Sequence, residues 1–65
     1  MYEFRKHRIN AKSISSARRV ASKWFPDEEG ILFLIREDGE LRRVSRRVVS
    51  ITPSGTLITK WIDEE

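Results

Sequence analysis

Apolar and polar residues follow two rhythms along this chain, and the change from one to the other marks out its elements. From Ser13 to Phe25 the apolar positions are Ile14, Ala17, Val20, Ala21, Trp24 and Phe25. Steps of three, three, one, three and one gather them on one side of a helix, with Ser15, Arg18, Arg19, Ser22 and Lys23 on the other. Ser13 is the expected N-cap, because its hydroxyl can accept from an orphan backbone N–H of the first turn. Pro26 cannot continue the hydrogen-bond ladder and disfavours helical backbone at Phe25. The apolar stripe of Ile14, Ala17, Ala21 and Trp24 is expected to pack on Leu32, Leu34 and Trp61.

The remaining segments read as strands. Tyr2 to Ile9 alternates imperfectly, with Tyr2, Phe4, Lys6 and Arg8 sharing one parity. Its aromatic and β-branched residues, together with its charge, predict one exposed or edge strand. Ile31 to Ile35 is a continuous apolar run between turn residues, the pattern of a strand buried on both faces. Asp38-Gly39 predicts a two-residue hairpin turn with positive φ at both positions. Leu41 to Ile51 fits two descriptions. As a helix, Leu41, Val44, Val48 and Ile51 line one side and four arginines the other; as a strand, neither face is cleanly apolar. The hairpin signal before it favours a strand, with a bulge switching its faces near Ser45. Thr52-Pro53-Ser54-Gly55 predicts a tight turn, Thr56 to Ile62 a closing strand, and Asp63 to Glu65 a frayed end. The expectation is an α+β fold: one small domain over residues 1–65, in the order β-α-β-β-β, with an antiparallel meander and one helix packed on one face.

Composition narrows what such a domain can be. The 65 residues include no cysteine and one histidine. Disulfides are therefore excluded, and a zinc site is not expected. The core has to come from an apolar fraction of 38%, and a chain of this size buries a modest share of its surface. No apolar run approaches the ~20 residues that span a bilayer, and Met1 to Arg8 lacks the apolar stretch of a secretory signal. With the absence of cysteine, these make an intracellular, cytoplasmic protein the expectation.

Charge changes the picture more by its distribution than by its net value of +3. Residues 1–25 hold seven lysines and arginines against Glu3 alone. Residues 26–41 hold six acids against Arg36. Arg42, Arg43, Arg46 and Arg47 follow, and then Lys60 faces Asp63, Glu64 and Glu65. Segregation of this kind predicts one basic surface and a separate acidic one.

Three constellations carry candidate chemistry. On the helix, Arg18, Arg19 and Lys23 with interleaved serines could lie along phosphates or read guanine edges; the plainer alternative is a solvated amphipathic face. In Leu41 to Val48, strand geometry sends Arg42 and Arg46 one way and Arg43 and Arg47 the other, whereas a helix would unite all four. Cross-strand pairs with Glu37, Asp38 and Glu40 would be worth only ~0–1 kcal/mol each. Arg42-Arg43-Val44-Ser45 also matches a short basic-directed kinase pattern. In Phe4-Arg5-Lys6-His7-Arg8, aromatics alternate with cations as on a single-strand platform, although Tyr2 and Phe4 read first as core. Arg5, Lys6, Arg8 and Lys12 are expected as peripheral phosphate contacts.

Nothing points to catalysis or to a cofactor. His7 has no nucleophile or orienting partner nearby in the sequence. The carboxylate clusters sit in turns, and there is no EF-hand spacing, glycine-rich phosphate loop or nucleophile elbow. The expectation is a small non-enzymatic binding or regulatory protein that takes nucleic acid, DNA by default and RNA as the variant. A second reading is a protein-interaction module, a small inhibitor or adaptor, that meets an acidic protein surface with its basic face or adds a strand edge to a partner. A third is a subunit that forms a homodimer through an exposed edge or apolar patch.

Overall fold

The structure, a computed structural model, describes residues 1–64. Its elements are β1 (Tyr2–Phe4), β2 (His7–Ile9), α1 (Ile14–Trp24), β3 (Gly30–Ile35), β4 (Leu41–Ile51) and β5 (Leu57–Asp63). The strands form one sheet in the order β2-β1-β3-β4-β5, with every neighbouring pair antiparallel. The α+β architecture with one helix and an antiparallel meander is as expected.

The first segment differs in detail. Tyr2 to Ile9 is a hairpin, not one strand: Arg5 and Lys6 turn the chain at φ 50° and 68°, pairing Tyr2 with Ile9 and Phe4 with His7. Arg5 holds this unfavourable backbone in place. Its Nε lies 3.0 Å from Glu28, its Nη1 donates to the Glu29 carbonyl at 2.7 Å, and its guanidinium sits 5.8 Å from the centre of the Phe25 ring. The element order is therefore β-β-α-β-β-β, and β1 lies inside the sheet while β2 takes the edge.

Helix α1 is built as its sequence predicts. Ser13 Oγ accepts from the Ser16 N–H at 3.2 Å, and the Phe25 N–H closes the helix on the Ala21 carbonyl at 2.8 Å. Ala17 and Ala21 are fully buried against Tyr2, Phe4, Ile9 and Leu32. Two small side chains let the helix backbone approach the sheet closely. Trp24 is a correction: it is 51% exposed and lies outside the core. The end of the stripe is taken by Phe25, whose ring packs 5.7 Å from that of Phe4. Ile14 is also exposed, while Trp61 packs edge-on to Phe4 at 5.5 Å.

Strand β3 is another correction. Only Leu32 is fully buried; Ile31, Phe33 and Ile35 have the opposite parity and are half-buried on the face away from the helix. Alternation therefore divides the sheet into an inner face under α1, with Tyr2, Phe4, Leu32, Ser45 and Trp61, and an outer face that no element covers among the described residues. Gly30 lies on the inner side opposite Arg47. A Cβ there would meet the Phe4 ring at 2.8 Å, so only glycine fits.

The β3–β4 turn also departs from expectation. Gly39 alone has positive φ, 85°. Its N–H bonds to the Arg36 carbonyl, and the Arg36 N–H bonds to the Glu40 carbonyl, both at 2.9 Å. This makes a three-residue loop with glycine in the left-handed position. The β4–β5 turn repeats the same pattern through Thr52, Gly55 and Thr56. Residues 41–51 form a strand with a bulge, as the turn chemistry favours. Because β3 ends opposite Arg47 while β5 pairs as far as Ile51, the β4–β5 hairpin overhangs the sheet as an arm. The molecule is accordingly elongated, 45 × 22 × 18 Å. Of the end expected to fray, Asp63 closes β5, Glu64 donates its N–H to the Val44 carbonyl, and Glu65 lies outside the described residues.

Candidate nucleic-acid interface

The eleven basic residues singled out in the sequence divide into three groups. The first group is engaged in contacts within the protein. Arg47 is 4% exposed; its Nη1 and Nη2 donate to the Phe25 and Pro26 carbonyls at 2.8 and 2.6 Å. Its guanidinium lies 5.6 Å from the Trp61 ring centre, and its buried Nε has no partner among the described residues. This arginine donates to the carbonyl of Phe25, the residue that caps the helix, and to that of Pro26 just beyond it. Arg18 is half-buried, donates to Ser45 Oγ at 3.2 Å and pairs with Asp63. Arg5 belongs to the turn and loop contacts already described.

The second group lies on the helix side. Arg19 and Lys23 are exposed on the back of α1, and Lys12 is exposed in the connector before it. Arg42 pairs opposite Leu34 at the other end of the inner face. It borders a cleft of ≈500 Å³ shared with Leu34, Arg36, Glu37 and Asp38. Lys6 stands exposed at the tip of the first hairpin.

The third group shares the outer face. Arg8 is paired with Glu3, and Glu3 with Phe33, and Phe33 with Arg43, in one row across four strands. The next row is Ile31, Arg46 and Ile62, followed by Val48 and Lys60. Directly opposite residues in an antiparallel pair have Cβ atoms ~4.5–5.5 Å apart, so these cations and apolar side chains form one mixed surface. Glu64 enters it, with its carboxylate oxygens 4.0 Å from Arg43 Nη1 and 3.7 Å from Arg46 Nε.

The structure therefore brings together Arg8, Arg43 and Arg46 and does not unite them with the helix cations. Two further residues belong to this surface and were not among the sequence candidates: Lys60 and Phe33. Lys60 was visible as the one cation in the closing strand, and its parity relative to Val48 assigns its face. Phe33 was hidden within an apolar run read as core. The kinase-like pattern ends on Ser45, which is fully buried and donates to the Ile62 carbonyl; in the fold it is no modification site. Among the described residues, no group of three or more His, Cys, Asp or Glu side chains gathers to hold a metal, and no helix is long and apolar enough to cross a membrane.

Comparison with known proteins adds no relative: no protein-family model, no curated protein and no solved structure matches the chain.

Proposed function

We propose that this protein is a small non-enzymatic nucleic-acid-binding domain, and that it binds with the outer face of its sheet. One observation carries the reading: Arg8, Arg43, Arg46 and Lys60 share with Phe33 and Ile31 a face that no other element covers among the described residues, with Glu3 as the acid paired between Arg8 and Phe33. Cations on such a face neutralise phosphates and release counterions. The aromatic and aliphatic side chains between them give bases a surface to stack on. An exposed apolar patch rimmed by charge marks an interaction site more often than idle surface. A nucleic-acid partner, together with a cysteine-free chain, also favours an intracellular location.

The test is binding of mixed-sequence oligonucleotides, single-stranded and duplex, across a salt series. The expected result is micromolar or tighter binding at low salt, with a log–log slope of roughly −2 to −3 as three to four phosphates are engaged. Arg46→Ala and Lys60→Ala should each weaken binding, and Lys60→Ala should flatten the slope by about one phosphate. No binding at low salt would overturn the reading. The apolar share of the same face, with Ile31, Phe33 and Ile62, favours a second reading in which an acidic protein surface docks there; binding that survives high salt and ignores oligonucleotides would support it.

A further inference from the structure

Strand β4 carries one residue more than β3 across a single step. Leu32 pairs with Ser45 and Phe33 with Arg43, which leaves Val44 as the extra residue. In a regular strand, Arg43 and Arg46 are three positions apart and would point to opposite faces. The bulge shifts the alternation, so Arg43 joins Phe33 and Arg46 joins Ile31 on the outer face. The same shift turns Arg42 and Arg47 inward. Bulges commonly re-aim a side chain in this way.

The two outward arginines converge on one carboxylate. Glu64 Oε1 lies 3.7 Å from Arg46 Nε, and Glu64 Oε2 lies 4.0 Å from Arg43 Nη1. The Glu64 N–H donates at 3.2 Å to the carbonyl of Val44, the bulge residue itself. The backbone thus holds an anion over the pair. Both contacts are longer than the ~2.7–2.9 Å of a close charge-assisted hydrogen bond, so the carboxylate spans the two guanidiniums loosely. A phosphodiester presents its oxygens on a larger tetrahedral centre, and arginine forks suit such a group. The side chains of Arg43 and Arg46 are 62% and 52% exposed, open to an incoming strand.

We infer that Arg43 and Arg46 form a two-arginine site for a backbone phosphate, and that Glu64 occupies it in the unbound protein. This rests on the nucleic-acid reading above and gives it a regulated centre. Nucleic acid binds there by displacing Glu64, while Asp63 stays held by Arg18 on the opposite face.

The experiment compares Glu64→Gln with Glu40→Gln, the same change of charge placed in the exposed β3–β4 turn. Single-stranded oligonucleotide affinity is measured at low salt, and the far-ultraviolet circular dichroism of each variant confirms its fold. E64Q is expected to tighten binding about two- to fivefold, the worth of an exposed ion pair, and E40Q to change it less. The gain from E64Q is expected to vanish in an Arg43→Gln, Arg46→Gln background. Equal gains from E64Q and E40Q, or a gain that survives loss of both arginines, would overturn the site and leave the nucleic-acid reading standing. If no variant binds any oligonucleotide, that reading falls and the site falls with it.

Discussion

Arginine at position 47 and arginine at position 46 look equivalent in the sequence and do opposite work in the fold. Arg46 reaches solvent, whereas Arg47 is buried with no carboxylate partner among the described residues, its charge offset by two carbonyls and the face of Trp61. A compact ammonium cannot reach both carbonyls in a fork or lie flat on the indole. Arg47→Lys should therefore destabilise the protein by about 2–4 kcal/mol, the usual cost of leaving buried polar groups unmet. Chemical denaturation checks this, and an unchanged midpoint would mean that the carbonyls find water instead. Burial of one arginine from a pair was not legible in the sequence. It depends on where a single inserted residue falls in β4, and neighbouring arginines carry no mark of it.

Elements differ in how plainly the sequence announces them. Helix α1 was legible almost to the residue, because Ser13, the apolar spacing and Pro26 act locally. The bulge near Ser45 was also legible, since an unbroken alternation would have left no apolar face. The first hairpin was not, because Arg5 and Lys6 replace the glycine or asparagine that normally marks such a turn. Its backbone is held by long-range contacts from Arg5 to residues 25, 28 and 29, and no local rule sees those. Lys6 is exposed at φ 68°, where an L side chain is strained by roughly 1 kcal/mol. Lys6→Gly should relieve that strain and, net of the roughly 0.5–1 kcal/mol of entropy that glycine adds to the unfolded chain, stabilise the fold by up to about 0.5 kcal/mol. A rise in thermal midpoint is the expected reading; a fall would show that the side chain itself supports the turn. Trp24 was misjudged for a related reason: periodicity assigns a face but not how far along the helix the sheet extends beneath it.

At the scale of the whole molecule, the basic charge lies on two sides separated by the sheet and helix layers. Arg19 and Lys23 project from the back of α1, whereas Arg8, Arg43, Arg46 and Lys60 occupy the far face of the sheet. The smallest dimension of the molecule is 18 Å, against a screening length of about 8 Å at physiological ionic strength. One bound strand on the outer face would scarcely sense the helix cations. Replacing Arg19 and Lys23 together by alanine should change oligonucleotide affinity less than twofold in physiological salt. A loss as large as that of Arg46→Ala would move the interface to the helix. The candidate site was thus half legible: the arginine run was visible, but its partition between two faces and the recruitment of Lys60 and Phe33 required the strand register.

The grip of Arg47 on the helix end also bears on how the chain acquires its structure. An isolated helix of eleven residues is marginal in water; Tyr2, Phe4 and Ile9 pack on it from earlier in the chain, while its side-chain hydrogen bonds come from later. Arg47 reaches back 22 positions to Phe25 and 21 to Pro26, Arg18 waits for Ser45, and Ser22 waits for Trp61, 39 positions on. The element easiest to recognise from its residues therefore relies on contacts from both ends of the chain. Its permanence depends on strands not yet paired when its own turns could first form, which couples the helix and the sheet into one cooperative folding unit.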